Sequence, residues 1–146
     1  MEWSERESRY LEYLRDEGYR PRIDDDGDIH VKCEGFNYYV IATDDEQYLQ
    51  LLLPGIWAID SQPELEHCLR AASEVNRRIK VVKVAAHRGM TDMFVAAEIY
   101  ITHPDAFTAL FPRLIATMRT ARERFREEMS KQTTISTTGT PTDLDG

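Results

Sequence analysis

The sequence has few cysteines and no long hydrophobic run, and both absences limit the class of protein. Two cysteines in 146 residues, Cys33 and Cys68, are too few for a disulfide-stabilised scaffold. Both stand in apolar patterns, where a small buried filler is expected. No apolar stretch approaches the length of a bilayer span. The N-terminus is charged from its second residue, which predicts no secretory leader. We therefore expect a protein of the reducing cytoplasm.

The sequence also lacks the motifs of common catalytic and metal sites. It contains neither a G-x-x-x-x-G-K-[ST] phosphate loop nor a G-x-S-x-G nucleophile elbow. The acidic run Asp24–Asp28 fails the EF-hand pattern, because Ile29 stands at its sixth position and Gly35 at its twelfth. A turn with Gly27 at positive φ is favoured instead. None of the histidines stands at a zinc spacing. They are His30, His67, His87 and His103. We expect no metal, no cofactor and no enzyme activity.

An excess of basic charge is absent as well. The chain carries 26 acidic and 18 basic residues, for a net charge of -8. Phosphate backbones and anionic lipid surfaces attract Lys and Arg, so nucleic acid and membranes are disfavoured as partners. A basic or apolar partner suits this charge. Four late arginines alternate with glutamates, which is typical of a solvated helix face. They are Arg119, Arg122, Arg124 and Arg126.

Apolar residues make up 42% of the chain, and their spacing predicts an α+β fold. The expected order is α-β-β-β-(β)-α-β-β-α, an antiparallel-rich sheet with helices packed on it. Short turns favour antiparallel pairing, although the helical crossover could return the last strands parallel. The first helix covers about Ser4 to Glu17. The predicted strands lie in Tyr19–Asp24, Ile29–Cys33, Phe36–Thr43, Tyr48–Leu53 with a bulged extension, Val82–Ala86 and Met93–Ile101.

Two further helices complete the predicted domain. The Ser61-x-x-Glu64 pattern is a capping box that starts the second helix. Pro104-Asp105 opens the last helix, which Pro112 should kink or split. We place a single domain at residues 1–129. The Thr-rich residues 130–146 have little apolar surface to bury and are predicted to form a disordered tail.

One segment has too much apolar surface for a solvent-facing strand. The residues from Tyr48 to Trp57 are interrupted by Pro54-Gly55. Core burial suits each residue singly, whereas a surface covered by a second chain or a peptide is favoured for at least some of them. The predicted peptide or dimer interface consists of Leu49, Leu51, Leu53, Ile56 and Trp57.

Two polar residues stand out within apolar patterns. Asn76 lies on the apolar stripe of the second helix, where it could tie the helix end to backbone groups of the next strand or contact a ligand. Glu98 lies within an apolar strand. Its pKa would rise if it pointed inward, and it would be an ordinary surface charge on a solvated sheet face.

A series of short patterns along about residues 4 to 129 resembles the YbjN-like family, which shares the fold of type III secretion chaperones. The patterns are a Gly-aromatic step between Leu14 and Tyr19, Asp26-Gly27-Asp28-Ile29, Phe36-Asn37-Tyr38-Tyr39-Val40, a helix bearing Asn76, Ala97-Glu98, and a final helix carrying Phe125. The resemblance implies a small α+β dimer that presents apolar surface to a peptide segment of a partner. It carries over no catalytic residues.

Three functions follow as hypotheses. The first is a non-enzymatic, chaperone-like homodimer that binds a peptide by strand addition or helix-in-groove packing. In that case the last helix or the Leu49–Trp57 segment would form the dimer contact. The second is a regulator of bacterial sensory transduction or stress that acts through one defined protein partner. The third is an enzyme, whose best candidates would be Glu98 with Lys83 or His87.

Overall fold

The structure is a computed structural model that describes the backbone of residues 5–138 and the side chains of residues 5–132. It confirms the predicted α+β class. Three helices and six strands follow one another in the predicted order. They are α1 (Glu5–Asp16), β1 (Arg22–Ile23), β2 (Ile29–Cys33), β3 (Phe36–Val40), β4 (Tyr48–Ala58), α2 (Gln62–Arg78), β5 (Val82–Ala86), β6 (Asp92–Tyr100) and α3 (Ala106–Thr138).

The six strands form one sheet in the order β1-β2-β3-β4-β6-β5. Every neighbouring pair is antiparallel, including the two pairs that involve β6. The crossover through α2 therefore places β5 beyond β6, where it runs parallel to β4 without touching it. The parallel pairing that the sequence left open does not occur among the described residues.

The core lies on one side of the sheet. Alternate strand residues such as Val31, Leu51 and Val95 are fully buried, and they form one cluster with buried side chains from all three helices. Helix α3 supplies the largest share of this cluster, because its apolar side chains recur at intervals of three and four. They are Phe107, Phe111, Leu114, Ile115, Met118, Ala121, Phe125 and Met129. Among the described residues, no helix is both long and apolar enough to cross a lipid bilayer.

The predicted break in the long strand is present as a bulge. The pairing of β4 with β6 is regular up to Leu53, which lies opposite Val95, and it resumes with a shifted register at Trp57, opposite Met93. Gly55 adopts a φ of 64° between them, a left-handed conformation that glycine adopts without strain. The bulge lets β4 continue to Ala58 as one bent strand.

Helix α3 differs from its predicted bounds in two ways. It passes Pro112 without being split, and it continues to Thr138 instead of ending at Met129. Extending an existing helix needs no new nucleus, and the extension has contacts of its own. The Gln132 side chain donates to the His67 carbonyl oxygen at 2.9 Å. The rest of the predicted tail, residues 139–146, lies outside the described residues.

Helix α1 is fastened to the β3–β4 loop by a buried arginine. Arg6 is only 5% exposed. Its guanidinium donates to the backbone carbonyl oxygens of Asp45 at 2.8 Å and Thr43 at 2.9 Å. A planar guanidinium can donate to two acceptors at once, which the single ammonium of lysine does less well. The loop is thereby fixed against the first turn of α1.

Asn76 closes one edge of the sheet. Its side-chain nitrogen donates to the Val84 carbonyl oxygen at 3.0 Å, and its oxygen accepts the Val84 N–H at 2.7 Å. Val84 is the middle residue of β5, the edge strand. The amide therefore occupies the backbone groups that an added strand would use. Asn76 itself is exposed to solvent, and this differs from the buried position that its place on the apolar stripe suggested.

We predict that Asn76→Ala opens this edge. The free energy of unfolding should fall by about 1–2 kcal/mol, because two hydrogen bonds to the backbone are lost. The exposed edge should also raise self-association, measured by light scattering as a function of concentration. Ser73→Ala, an exposed substitution in the same helix, is the matched control. Equal stability and equal scattering in the two variants would contradict the prediction.

A second prediction concerns alkaline pH. Burial raises the pKa of Tyr10 to about 12, from an ordinary value of 10.0. The folded protein therefore favours the neutral phenol. The contribution of this phenol to the free energy of unfolding is fully present below pH 10 and is lost as the pH rises toward 12. Tyr10→Phe should reduce the loss of stability between pH 9 and pH 11 by about 1 kcal/mol. Urea unfolding at pH 9 and pH 11, with Tyr100→Phe as the exposed control, measures the difference.

Candidate functional site

The predicted interface residues of β4 lie in the core and not on a surface. Leu49, Leu51, Leu53 and Ile56 are between 0% and 5% exposed. Successive strand residues point to opposite faces of a sheet, and these four point toward the helices. This is a correction to the sequence interpretation, because side chains buried in this way cannot line a binding surface. On the opposite face of β4, Tyr48 and Leu52 are partly exposed.

Trp57, the fifth predicted interface residue, is half-buried at the end of β4. Its indole N–H donates to a Glu64 carboxylate oxygen at 2.6 Å, and its ring meets Phe125 edge-on. The Arg126 guanidinium lies 5.2 Å from the centre of the ring. Glu64 is also the capping residue whose N–H donates to the Ser61 hydroxyl at 3.2 Å. Trp57 thus joins β4 to α2 and α3.

The opposite side of the sheet, here called the outer face, carries a row of aromatic and aliphatic side chains. The register aligns Tyr39 of β3 with Leu52 of β4, and Leu52 with Ala96 of β6. A second row pairs Tyr48 with Tyr100 at a ring separation of 6.0 Å. Tyr100 is 80% exposed. The helical side chains of the core cluster pack on the other side of the sheet, and Tyr39, Leu52 and Tyr48 are only partly buried.

A polar bridge crosses the outer face between these two rows. Glu98 of β6 accepts a hydrogen bond from the Gln50 amide at 3.0 Å, and its other carboxylate oxygen lies 2.9 Å from the Lys83 ammonium. Glu98 therefore points away from the core. Burial, followed by the nearby Glu98 carboxylate, raises the pKa of Tyr48. The bridge adds hydrogen-bonding groups beside the two apolar rows, and His30 and Asn37 form a second polar pair on the same face at 2.9 Å.

Of the residues named in the enzyme hypothesis, Glu98 contacts Lys83 but not His87. Lys83 and Glu98 form the ion pair just described. His87 instead follows β5. Its backbone N–H donates to the carbonyl oxygen of Asp92, which lies at the opposite end of β6 from Glu98. Asp92 and Glu98 are six residues apart in an extended strand, which is a distance of about 20 Å. The structure therefore brings Lys83 and Glu98 together, with Tyr48 beside them, and leaves His87 apart.

The acidic turn brings three carboxylates together. Oxygens of Asp24, Asp26 and Asp28 lie within 4.8 Å of one another. The turn itself explains this arrangement, because one Asp24 oxygen accepts the backbone N–H groups of Asp26 and Asp28. Burial, and then the charges of Asp24 and Asp26, raise the pKa of Asp28 against the opposing hydrogen bond from the Ala42 N–H. Gly27, at a φ of 88°, completes the turn.

The late arginines pack against the protein instead of forming a basic patch. Arg119 pairs with Glu34, and the Arg122 guanidinium lies 4.2 Å from the centre of the Phe36 ring. Arg126 covers Trp57 as described above. These three side chains lie along one side of α3 and reach the ends of three strands. Their positive charge is engaged within the domain.

Both edges of the sheet are poorly suited to strand addition. Asn76 occupies the middle of β5, as described above. At the other edge, β1 has only two residues and follows Pro21, which has no N–H to donate. Of the two recognition modes considered from the sequence, strand addition is therefore the less favoured. The outer face instead offers partly exposed apolar side chains, with Tyr100 the most exposed of them.

The sequence interpretation missed the residues that form this face. The sequence predicts strand positions for Tyr39, Leu52, Phe94 and Tyr100 but no site that contains them. The alternation of β6 indicates this face, because Phe94, Ala96, Glu98 and Tyr100 alternate with the inward-facing residues of the strand. Three consecutive leucines in β4 hid the same alternation in the neighbouring strand.

The fold has relatives among solved structures. YbjN from E. coli, described as "a putative transcription regulator", superposes with a TM-score of 0.60 at 13% identity, covering 86% of this chain and 92% of that one. The Yersinia pestis type III secretion chaperone SycH, solved in complex with a fragment of YscM2, gives a TM-score of 0.50 at 14% identity, covering 80% and 98%. Similarity at this level of identity establishes the fold alone. No curated protein matches the sequence.

The sequence also matches a family model directly. The model is that of YbjN, described as "Putative bacterial sensory transduction regulator", and the match extends over residues 11–131. It includes all six strands and helix α2, together with the second half of α1 and most of α3. With this match over most of its length, the chain belongs to the YbjN family.

Proposed function

We propose that this protein is a non-enzymatic, chaperone-like binding protein of the cytoplasm whose outer face holds a peptide segment of a partner. The observation that carries the proposal is the aromatic surface formed by Tyr39, Leu52, Tyr48 and Tyr100, on the side of the sheet opposite the helices. Accessible apolar surface of this kind is typical of protein interaction sites. Tyrosine suits such a site because its ring is apolar and its hydroxyl remains hydrated.

The similarity to a secretion chaperone supports a protein partner. SycH was solved in complex with a fragment of another protein, so this fold is compatible with holding a segment of a second chain. In the present protein, the closed edges favour docking on the face over strand addition. The Gln50–Glu98–Lys83 bridge supplies groups that could hydrogen-bond to the backbone or side chains of the segment.

A second candidate function is regulation through one defined partner. The family description as a sensory transduction regulator favours it. The two functions use the same surface and differ in the number of partners. A chaperone would retain several incompletely folded clients, whereas a regulator would retain one protein in a fixed ratio.

We also propose that the protein forms a homodimer, with the exposed side of α3 as the contact. The alternative dimer contact through the Leu49–Trp57 segment loses its basis, because four of its five named residues are buried in the core. Light scattering at micromolar concentration tests this proposal. A single species of 16.9 kDa, the mass of one chain, would exclude the dimer.

We predict that a photo-crosslinker at Tyr100 captures the partner. Tyr100→benzoylphenylalanine places the reactive ketone on an exposed part of the outer face without disturbing the core. Irradiation in the native host should yield crosslinked species larger than the protein, which mass spectrometry identifies. Leu69→benzoylphenylalanine is the matched control, since Leu69 is an exposed apolar residue of α2, 49% accessible.

The double variant Tyr48→Ser/Tyr100→Ser completes this test. This variant lacks both rings of one row. The amount of partner protein that it retains should be about tenfold lower than for the wild type, since buried aromatic contacts contribute most to such interfaces. Leu69→Ser should retain them fully. Identical sets of captured proteins from the two crosslinker positions, with no loss in the double variant, would refute the proposed function.

A further inference from the structure

The negative charge of the protein is concentrated at one end of the sheet. The β1–β2 turn carries four aspartates, and the β3–β4 loop carries three more carboxylates. These seven are Asp24, Asp25, Asp26, Asp28, Asp44, Asp45 and Glu46. Removing them from the 26 acidic residues of the chain leaves 19, against 18 basic residues. Arg6 and Arg22 lie at the same end, so this acidic end carries -5 of the net charge of -8, from seven carboxylates less two arginines.

The two loops are held together as one surface. The Ala42 N–H, at the start of the second loop, donates to an Asp28 carboxylate oxygen of the first at 2.7 Å. Arg6 fixes the second loop from below through the carbonyl oxygens of Thr43 and Asp45. Because Arg6 is buried beneath the loop, the exposed carboxylates of Asp44 and Glu46 remain available to solvent.

The acidic end adjoins the outer face. Tyr48 follows the β3–β4 loop directly, with its N–H bonded to the Asp45 carbonyl oxygen at 3.1 Å. Its ring neighbour Tyr100 is the last residue of β6. On the other side, Asp24 and Asp25 line a surface hollow together with Arg22, Ile23, His30 and Tyr39. The aromatic rows of the outer face thus run into carboxylates at two places.

From this arrangement we infer the chemistry of the partner segment. The outer face binds a segment whose apolar side chains cover Tyr39, Leu52 and Tyr100 and whose adjoining lysines or arginines lie on the acidic end. The inference rests on the proposed function and adds the charge and the direction of the bound segment. Complementary charge raises the rate of encounter and sets the orientation of binding, and it excludes segments with acidic flanks.

The test uses two synthetic probes and the full-length protein. One is a fluorescein-labelled peptide of alternating leucine and serine that ends in four lysines, and the other ends in four glutamates. We expect the lysine probe to bind more tightly in fluorescence anisotropy, and its affinity to fall as salt rises, since salt screens exposed charges.

Two charge variants locate the attraction. Asp25→Asn/Asp44→Asn/Glu46→Gln removes three exposed carboxylates of the acidic end. Its affinity for the lysine probe should fall by about tenfold, as expected for three exposed ion pairs. Glu66→Gln/Glu123→Gln/Glu127→Gln removes the same charge from exposed helix positions and should leave the affinity unchanged. An equal loss in both variants would mean that overall charge attracts the probe, and the inference would be overturned.

The remaining outcomes separate this inference from the proposed function. If both probes bind equally and Tyr48→Ser/Tyr100→Ser weakens both, the outer face binds peptides without charge selection, and only the inference fails. If that variant weakens neither probe, or if the lysine probe does not bind at all, the inference fails. A dimer that dissociates in the same variant while rejecting both probes would identify a second copy of this chain as the occupant of the outer face.

Discussion

The packing of helix α3 against one side of the sheet is the interaction on which the rest of the structure depends. Its buried phenylalanines and methionines cover the inward residues of the central strands, and α1 and α2 add to the same core. Because all three helices are committed to this side, the other side of the sheet has no covering element among the described residues. The outer face is thus a consequence of where the helices lie. Its aromatic content distinguishes it from an ordinary solvated face.

The same arrangement determines how the edges of the sheet are treated. Helix α2 returns the chain to β5 and so ends beside the strand that lacks an outer neighbour. Its Asn76 amide supplies Val84 with the donor and acceptor that a further strand would provide. A sheet with an accessible apolar face and open edges would be prone to self-association. Closing the edges confines interaction to the face, where side chains can select what binds.

The sequence predicts the fold well where a local signal is sufficient. The alternation of Ile29, Val31 and Cys33, the Ser61 capping pattern and the Pro54-Gly55 break all correspond to elements of the structure. It predicts the site poorly, because three successive leucines in β4 conceal which side chains face the helices. The inward position of Leu51 and the outward position of Leu52 depend on where the helices lie, and that is a tertiary property. The extent of α3 beyond Met129 also depends on tertiary contacts, such as the one between Gln132 and His67.

The position of the charge gives the outer face a direction that the fold alone does not. An apolar surface accepts apolar segments of any sequence, and its affinity follows the area covered. The larger number of carboxylates at one end makes the two orientations of a bound segment unequal, because a basic flank gains more attraction at that end than at the other. Arg6 contributes indirectly, since it fixes the loop that carries Asp44 and Glu46 while its own charge stays buried. Selectivity would then arise from the acidic end, and affinity from the aromatic rows of the outer face.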